Sequence, residues 1–141
     1  MPLPKPLIAL AALLSTAGVA AAAPLIVTVT DIEARGGTFY VGVQTEAQFM
    51  QDAGVAGETI EAPEAGAKTF TFDLPEGTYA VSVWHDFNGN GTFDTSADGR
   101  PVDGWGAING EKLRAAPEFG QVSIALPAGG ASAAVKTFYP Q

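Results

Sequence analysis

The sequence predicts an all-β protein: an antiparallel β-sandwich of about seven strands with an immunoglobulin-like arrangement, placed after a cleaved signal peptide. Three observations support this prediction. Short segments carry apolar residues at every second position, which is the period of a β-strand. Turns rich in Gly and Pro separate these segments, in a chain of 141 residues with 17 Gly and 10 Pro. Neither an internal repeat nor a long amphipathic pattern interrupts them.

The first 22 residues have the layout of a secretory signal peptide. They carry one charge at Lys5, an apolar run over Leu7–Ala20 and small residues at Ala20–Ala23. Signal peptidases reject a proline directly after the cut, so we place the cut after Ala22. The run is short and rich in alanine for a membrane span, which needs about 20 strongly apolar residues; a retained membrane anchor is the alternative. We therefore expect an exported protein, periplasmic or extracellular, without a membrane span in its mature form.

The remaining chain, residues 23–141, has the size of a single domain. It has no cysteine, which excludes a disulfide and a lipid anchor attached through cysteine. Removing Lys5 from the seven Lys and Arg leaves six against 15 Asp and Glu, a net charge of −9. Such a chain repels phosphate backbones, so we expect no nucleic-acid partner. The acidity suits divalent cations, and it also keeps an exported protein in solution.

Two strands are predicted at the start of the domain, Leu25–Asp31 and Thr38–Thr45, joined into a hairpin by the turn Glu33–Gly37. Both are rich in β-branched or aromatic residues, which strands favour. Alternation assigns one face of each strand to the core, with Leu25, Val27, Val29, Phe39, Val41 and Val43.

The segment Glu46–Ala65 has no sustained period. Its beginning is compatible with one helical turn that buries Phe49 and Met50, and the remainder with an acidic loop or an irregular edge. A strand over Lys68–Leu74 follows, with a turn at Pro75–Gly77. The inward side chains of this strand are Phe70, Phe72 and Leu74.

The next strand is predicted over Thr78–Asp86 and is followed by a long glycine-rich loop, Asp86–Phe119. Strands over Gln121–Leu126 and Ala133–Tyr139 close the domain. The core face of the Thr78–Asp86 strand carries Tyr79, Val81, Val83 and His85.

The start of the long loop has oxygen-bearing side chains at the spacing of a calcium loop. The matching ligand positions are held by Asp86, Asn88, Asn90, Thr92 (through its backbone carbonyl) and Asp94. Gly91 allows the sharp turn, but position 12 is Ala97 rather than a bidentate Glu, so Asp98 or Asp103 must close the shell. We predict that these residues bind Ca²⁺ with modest affinity. A turn built on Asn-Gly is the alternative.

Two stretches resemble known exported β-domains. Leu74–Val83, "LPEGTYAVSV", is similar to the L-P-x-G-x-Y signature of prealbumin-like and collagen-adhesin B-type sandwiches, in which the tyrosine staples the turn to the sheet. Trp84–Asp94, "WHDFNGNGTFD", is similar to the calcium loop of the B repeats in staphylococcal surface adhesins, which also follows a strand. Over Leu74–Asp94 the resemblance therefore implies a prealbumin-like sandwich with a calcium loop that lacks flanking helices.

Nearly all of the mature chain resembles the bacterial domain-of-unknown-function family 2141 (DUF2141). That family shows a G-x-Y-A strand, then H-D-x-N-G-N-G-x-x-D, G-x-P-x-x-G-[aromatic]-G and P-x-F. The matching residues are Gly77, Tyr79, Ala80, His85–Asp94, Gly99, Pro101, Gly104, Trp105, Gly106, Pro117 and Phe119. Trp105 stands where the family usually has tyrosine, and Asp103 where we expect glutamate. The family implies export and a β-sandwich, and implies no activity.

The two tryptophans form a second candidate site. Trp84 points away from the predicted core face, and Trp105 lies in the glycine-rich loop. Two exposed indoles near one edge stack a sugar or a peptide. The alternative, which we favour, is that Trp105 folds over Trp84 as a small satellite core. The second hypothesis for function is therefore an envelope module that binds a glycan or a peptide through Trp84 and Trp105.

We expect no enzymatic activity. The chain offers no cysteine nucleophile, and its acidic residues outside the loop are scattered. His85 is predicted at the edge of the core with one hydrogen bond, and it lacks a second His or Cys that would complete a transition-metal site. His85 and Asp86, as neighbours on a strand, point to opposite faces. The sequence thus predicts an exported, non-catalytic β-sandwich with a calcium loop and unknown partners.

Export gives the first testable prediction. The mature protein should begin at Ala23, or within a residue or two of it, because the small residues that precede Pro24 form the predicted cleavage site. Amino-terminal sequencing of protein recovered from the cell envelope checks this. Intact Met1 on that protein would contradict the prediction.

Overall fold

The fold is a two-sheet β-sandwich, given by a computed structural model that describes residues 21–141. The predicted signal peptide lies outside the described residues, apart from its last two alanines. The strands are β1 (Ala23–Ile32), β2 (Thr38–Gln44), β3 (Ala56–Glu61), β4 (Gly66–Leu74), β5 (Gly77–Asp86), β6 (Gly104–Ala107), β7 (Ser123–Leu126) and β8 (Ala131–Lys136). Short 3-10 helices span Glu46–Gln48, Gly110–Lys112 and Phe119–Gln121. The predicted all-β class is confirmed.

The two sheets differ in size. The smaller has three strands in the order β4-β1-β8, and the larger has the order β3-β2-β5-β6 with β7 also paired to β5. The first half of β5 pairs with β7 and the second half with β6, so these two short strands follow one another along the same edge of β5. Strand β5 therefore has neighbours along its whole length on that side, and β2 on the other.

The inner faces of the sheets supply one continuous core, and alternation predicted its members on β1, β2, β4 and β5. The smaller sheet contributes Leu25, Val27, Val29, Phe70, Phe72, Leu74, Ala133 and Val135. The larger sheet contributes Phe39, Val41, Val43, Tyr79, Val81, Val83 and Leu126. These side chains lie on alternate positions of their strands, so burial of their apolar surface fixes which face of each sheet is turned inward.

The predicted hairpin between the first two strands is wrong. Strand β1 pairs with β4 and β8, whereas β2 pairs with β3 and β5 in the opposite sheet. The connection crosses the sandwich through Gly36 and Gly37, which adopt left-handed φ angles of 72° and 63°. Because both strands bury one apolar face, placing them in opposite sheets lets the two faces cover one another.

The structure also departs from the prediction in strand number and direction. Strands β3 and β6 lie in segments that were predicted as a loop or an irregular edge. The pairing of β1 with β8 is parallel rather than antiparallel. The connection between β7 and β8 passes from one sheet to the other, so no hairpin sets the direction in which β8 arrives. Phe49 is half-buried as expected, but Met50 is exposed because its φ of 63° turns the chain outward after the 3-10 helix.

The turn between β4 and β5 is held by Tyr79. Its hydroxyl donates a hydrogen bond of 2.7 Å to the backbone carbonyl of Pro75, while its ring packs in the core. This bond fixes the corner at which the chain passes from the smaller sheet to the larger one.

Within residues 21–141, no helix has the length and apolar character that crossing a membrane requires.

Removing the Tyr79 hydroxyl should weaken this corner. We expect Tyr79→Phe to lower the free energy of unfolding by about 1 kcal/mol, the net contribution of one such hydrogen bond. The measurement is urea denaturation, with the slope m required to stay constant. Tyr40→Phe is the matched control, because the Tyr40 hydroxyl has no hydrogen bond within the described residues. Equal losses in the two variants would contradict the assignment.

Candidate metal centre

The candidate loop connects two paired strands, which fixes both of its ends. It leaves β5 after Asp86 and returns at Gly104, which pairs with His85 in the antiparallel ladder. A Cβ atom on Gly104 would lie 2.7 Å from Tyr139 Cε1 and 2.8 Å from His85 Cβ. The close approach of the two strands therefore requires glycine at this position, and it holds the first and last residues of the loop together.

Two carboxylates flank this junction, Asp86 and Asp103. The ladder ends with the pair His85 and Gly104, so Asp86 and Asp103 are the residues directly beyond its last pair. Both are almost fully buried, with 2% and 1% of their surface exposed. Both ends of the loop therefore carry an acidic group in a region that water hardly reaches.

Each carboxylate is bonded through one oxygen and unpaired through the other. Asp86 Oδ2 accepts a hydrogen bond from the backbone nitrogen of Gly91 at 2.8 Å. Asp103 Oδ2 accepts from Trp84 Nε1 at 2.8 Å and from the backbone nitrogen of Asp94 at 3.1 Å. The Oδ1 atoms of Asp86 and Asp103 are buried and have no hydrogen-bond partner. Unpaired buried anionic oxygens are costly, and a cation would relieve that cost.

Asn88, Asn90 and Asp94 form the outer part of the loop. The side-chain amides of Asn88 and Asn90 donate to Asp94 Oδ2 at 2.9 and 2.7 Å. Their Oδ1 atoms accept from the backbone nitrogens of Asn90 and Thr92 at 3.3 and 3.0 Å. These bonds wind the loop into a compact turn in which Asp94 is joined to Asp103 through its backbone nitrogen.

The remaining predicted ligands, Thr92 and Asp98, lie at exposed positions. Thr92 is exposed, and its backbone nitrogen contributes to the turn. Asp98 is also exposed: it accepts a hydrogen bond from Ser96 Oγ and pairs with Arg100 Nε at 3.1 Å. The loop thus joins Asp103, rather than Asp98, to the other candidates. Within residues 21–141 no three Asp, Glu, His or Cys side chains converge on one point for a metal ion. A shell here therefore needs amide and backbone oxygens in addition to carboxylates.

The tryptophans occupy opposed positions of β5 and β6. Trp84 stacks on Tyr40 with ring centroids 4.8 Å apart, and its indole nitrogen is bonded to Asp103. Trp105 stacks on Phe138 at 5.0 Å and lies against Gly110. Both side chains are half-buried rather than freely exposed. Each indole packs on a different aromatic partner, which sequence spacing did not indicate.

His85 has a structural environment that the sequence did not reveal. It is fully buried rather than at the core edge, and it makes two hydrogen bonds rather than one. Nε2 lies 2.7 Å from the carbonyl oxygen of Gly36, so Nε2 carries the proton, and Nδ1 accepts from the Tyr139 hydroxyl at 2.7 Å. The Tyr139 oxygen in turn accepts from the backbone nitrogen of Glu33 at 3.0 Å. These partners are far away in sequence, so no local motif signals them.

Of three comparisons with known proteins, one gives a match. A family model described as "Uncharacterized protein conserved in bacteria (DUF2141)" matches residues 27–134, which include strands of both sheets and the whole candidate loop. A search of curated proteins and a search of solved structures returned no match.

The phenol of Tyr139 should report on this buried network. Burial raises the pKa of Tyr139, and the negative charge of Glu33 adds to the effect, against the lowering by the Glu33 backbone hydrogen bond and by Arg35. Below the ordinary tyrosine pKa of about 10 both folded and unfolded chains keep the proton, so stability is unaffected. Above it the unfolded chain loses the proton first, and stability falls as the pH rises.

We therefore expect Tyr139 to ionise at higher pH than an ordinary tyrosine, in a late step of the titration. Ultraviolet difference absorbance of the phenolate checks this. Tyr139→Phe should abolish the late step and Tyr40→Phe should leave it. A late step that persists in Tyr139→Phe would assign the raised pKa to another residue.

Proposed function

The chain belongs to the bacterial family DUF2141, and from that premise we propose that it is an exported, non-catalytic β-sandwich protein whose loop from Asp86 to Asp103 binds calcium. The family is uncharacterized and assigns no activity. The proposal therefore depends on the loop itself and on the signal-peptide pattern of residues 1–22.

The observation that carries the proposal is the buried pair Asp86 and Asp103. Each of these carboxylates is almost fully buried and leaves one oxygen without a hydrogen bond. A divalent cation neutralises both charges and accepts both free oxygens as ligands. The Oδ2 atom of each side chain keeps its present hydrogen bonds. These run to Asp86 from the backbone nitrogen of Gly91, and to Asp103 from Trp84 and the backbone nitrogen of Asp94.

The loop has further oxygen donors of the required type. The loop also contains the amide oxygens of Asn88 and Asn90 and the backbone carbonyl of Thr92. The carboxylate of Asp94 lies in the same loop, where its Oδ2 accepts from the two amides, and it does not converge with Asp86 and Asp103 on one point. The donor set contains neither nitrogen nor sulfur ligands, because His85 uses both ring nitrogens within the fold and the chain has no cysteine. Such a set favours Ca²⁺, Mg²⁺ or Mn²⁺ over zinc or copper.

Calcium suits this set better than magnesium. The donors from Asn88 to Asp94 belong to the outer part of the loop, where Gly89 and Gly91 adopt left-handed conformations. A loop of this kind does not impose the tight octahedral geometry that magnesium requires. We expect affinity in the range of extracellular calcium modules, about 10⁻⁴–10⁻³ M, because Asp86 and Asp103 are the only buried carboxylates of the loop and its outer part is open to solvent. Export would bring the protein to compartments where calcium reaches such concentrations.

The proposed role is structural rather than catalytic, because the buried oxygens and His85 are not accessible to a substrate. The buried oxygens of Asp86 and Asp103 lie beneath the loop, and His85 is committed to Gly36 and Tyr139 on the opposite face of β5. The proposed ion would hold the long connection between β5 and β6 against the sandwich. It would thereby present the exposed outer part of the loop, including Phe93, in one conformation.

A thermal melt in EDTA, in calcium and in magnesium tests the proposal. Calcium at 100 times its dissociation constant should stabilise the wild-type protein by about 2.7 kcal/mol, and magnesium should stabilise it less. Asp103→Asn should lose the calcium gain, because it removes one buried ligand charge. In EDTA the same variant should be more stable than wild type, because it also removes a buried charge whose Oδ1 atom has no hydrogen-bond partner.

Asp98→Asn is the matched control, since Asp98 lies in the same loop but is exposed and paired with Arg100. It should keep the full calcium gain. Two results would overturn the proposal: a wild-type melting temperature that is the same in EDTA and in calcium at 100 times the expected dissociation constant, about 10–100 mM, or equal losses in Asp98→Asn and Asp103→Asn. The first result would leave the loop as a turn built on Asn-Gly.

A further inference from the structure

The outward face of the larger sheet carries a row of aromatic side chains. The ladders set Tyr40 against Trp84 and Trp84 against Trp105, and a bridge sets Trp105 against Phe138. Directly opposed residues of neighbouring strands point to the same face, so the four rings follow one another across the sheet. Tyr40 and Trp84 at one end of this row form one side of a groove.

Small residues in the next row form the floor of that groove. Gly42 is paired with Gly57 on one side and with Ser82 on the other. A Cβ atom on Gly42 would meet no atom within 4 Å, so the space above this residue is open. The groove has a volume of about 780 Å³ and is closed on its far side by residues 50–55. This size lies within the range of protein pockets that hold ligands, about 300–1,000 Å³.

Exposed apolar side chains gather around the groove. Five large hydrophobic residues are exposed in the part of the chain that the structure describes, and three of them line it. They are Met50, Val55 and Phe93, with 68%, 42% and 44% of their surface exposed. Met50 is held there by a left-handed backbone conformation that L-residues rarely adopt. Clustered exposure of this kind marks interaction sites, whereas scattered exposure is ordinary.

The charge of the groove has one sign. Asp52 and Glu58 lie at its rim, and none of the Lys, Arg or His side chains in residues 21–141 lines it. The chain as a whole has a net charge of −8. The field therefore repels anionic ligands and attracts cationic ones.

We propose that this groove, lined by Tyr40, Gly42, Met50, Glu58, Trp84 and Phe93, binds an extended peptide segment that carries both apolar and basic side chains. The carboxylates attract the basic groups, and the flexible thioether of Met50 adapts to apolar side chains of varied shape. Exposed Met and Val side chains favour a peptide over a sugar, which needs open aromatic faces and hydrogen-bond donors. Strand β3 adds backbone hydrogen-bonding groups, since among the described strands it pairs with β2 alone and forms the sheet edge beside the groove.

This inference goes beyond the calcium loop, because the groove is formed by β2, β3 and β5 without any ion. Phe93 is the one lining residue that belongs to the loop. The test is therefore made both in calcium and in EDTA, so that failure of the calcium proposal and failure of the groove are separate results.

The probe is an end-capped octapeptide of alternating Val and Lys, added to the isotope-labelled mature protein and followed by amide chemical shifts. We expect shifts at Gly42, Gly57 and Ser82. Gly42→Leu should weaken binding by about tenfold or more, because its side chain fills the open floor of the groove. Gly129→Leu is the matched control: a Cβ there also meets no atom within 4 Å, but the turn between β7 and β8 is remote from the groove. It should bind as wild type.

A second variant guards against misfolding of Gly42→Leu. Asp52→Lys combined with Glu58→Lys changes two exposed rim residues and should also weaken binding of the Val-Lys peptide by about tenfold. Three results would overturn the proposal. They are the absence of shifts at millimolar peptide, equal binding of an octapeptide of alternating Val and Glu, and shifts at the same residues with cellohexaose in place of the peptide. The last result would make the groove a glycan site.

Discussion

The alternation of side chains along β5 is the constraint on which the rest of the molecule depends. Its inward positions, from Tyr79 to His85, meet the smaller sheet and complete the core. Its outward positions are Ser82 and Trp84, which line the groove, and then Asp86, which enters the candidate metal site. Because successive residues of a strand face opposite ways, a slip of one residue in register would exchange these two sets. The strand is held against such a slip by pairing with β2 on one side and with β6 and β7 on the other.

The sequence predicted those parts of the fold in which a single physical signal dominates. Strands β1, β2, β4 and β5 each bury one apolar face, so period-two alternation identified them and their inward residues. Strand β3, "AGETIE", is an edge strand in which Ala56 and Ile60 are partly buried and the other residues exposed. Strand β6, "GWGA", consists mostly of glycine and alanine, and other segments of the chain approach its glycines closely. Neither contains the β-branched alternation that local patterns require. Local sequence patterns also do not predict which sheet each strand joins, because this depends on how the connections cross the sandwich.

The candidate site likewise contains residues that local spacing predicts and residues that only strand pairing places. Asp86, Asn88, Asn90 and Asp94 were identified from their spacing, since one short loop holds them. Asp103 could be named only as one of two residues able to close the shell, because its place follows from the pairing of β5 with β6 rather than from its distance along the chain. The bonds from His85 to Gly36 and Tyr139 span most of the domain. Contacts between residues so far apart in sequence produce no periodic pattern, so they can be seen only in the folded structure.

Trp84 joins the two candidate sites, and this determines which substitutions can separate them. Its indole nitrogen donates to Asp103, beneath the loop, while its ring stacks on Tyr40 and meets Phe93 edge-on at the groove. Replacing Trp84 would leave Asp103 without a donor and would also remove one wall of the groove, so a loss of either binding function would have two explanations. Gly42 lines the groove and lies outside the loop, whereas Asp103 lies in the loop and outside the lining of the groove. Substitutions at Gly42 and at Asp103 therefore act on different sites. The additivity of their effects on peptide and calcium binding measures how strongly Trp84 couples the groove to the loop.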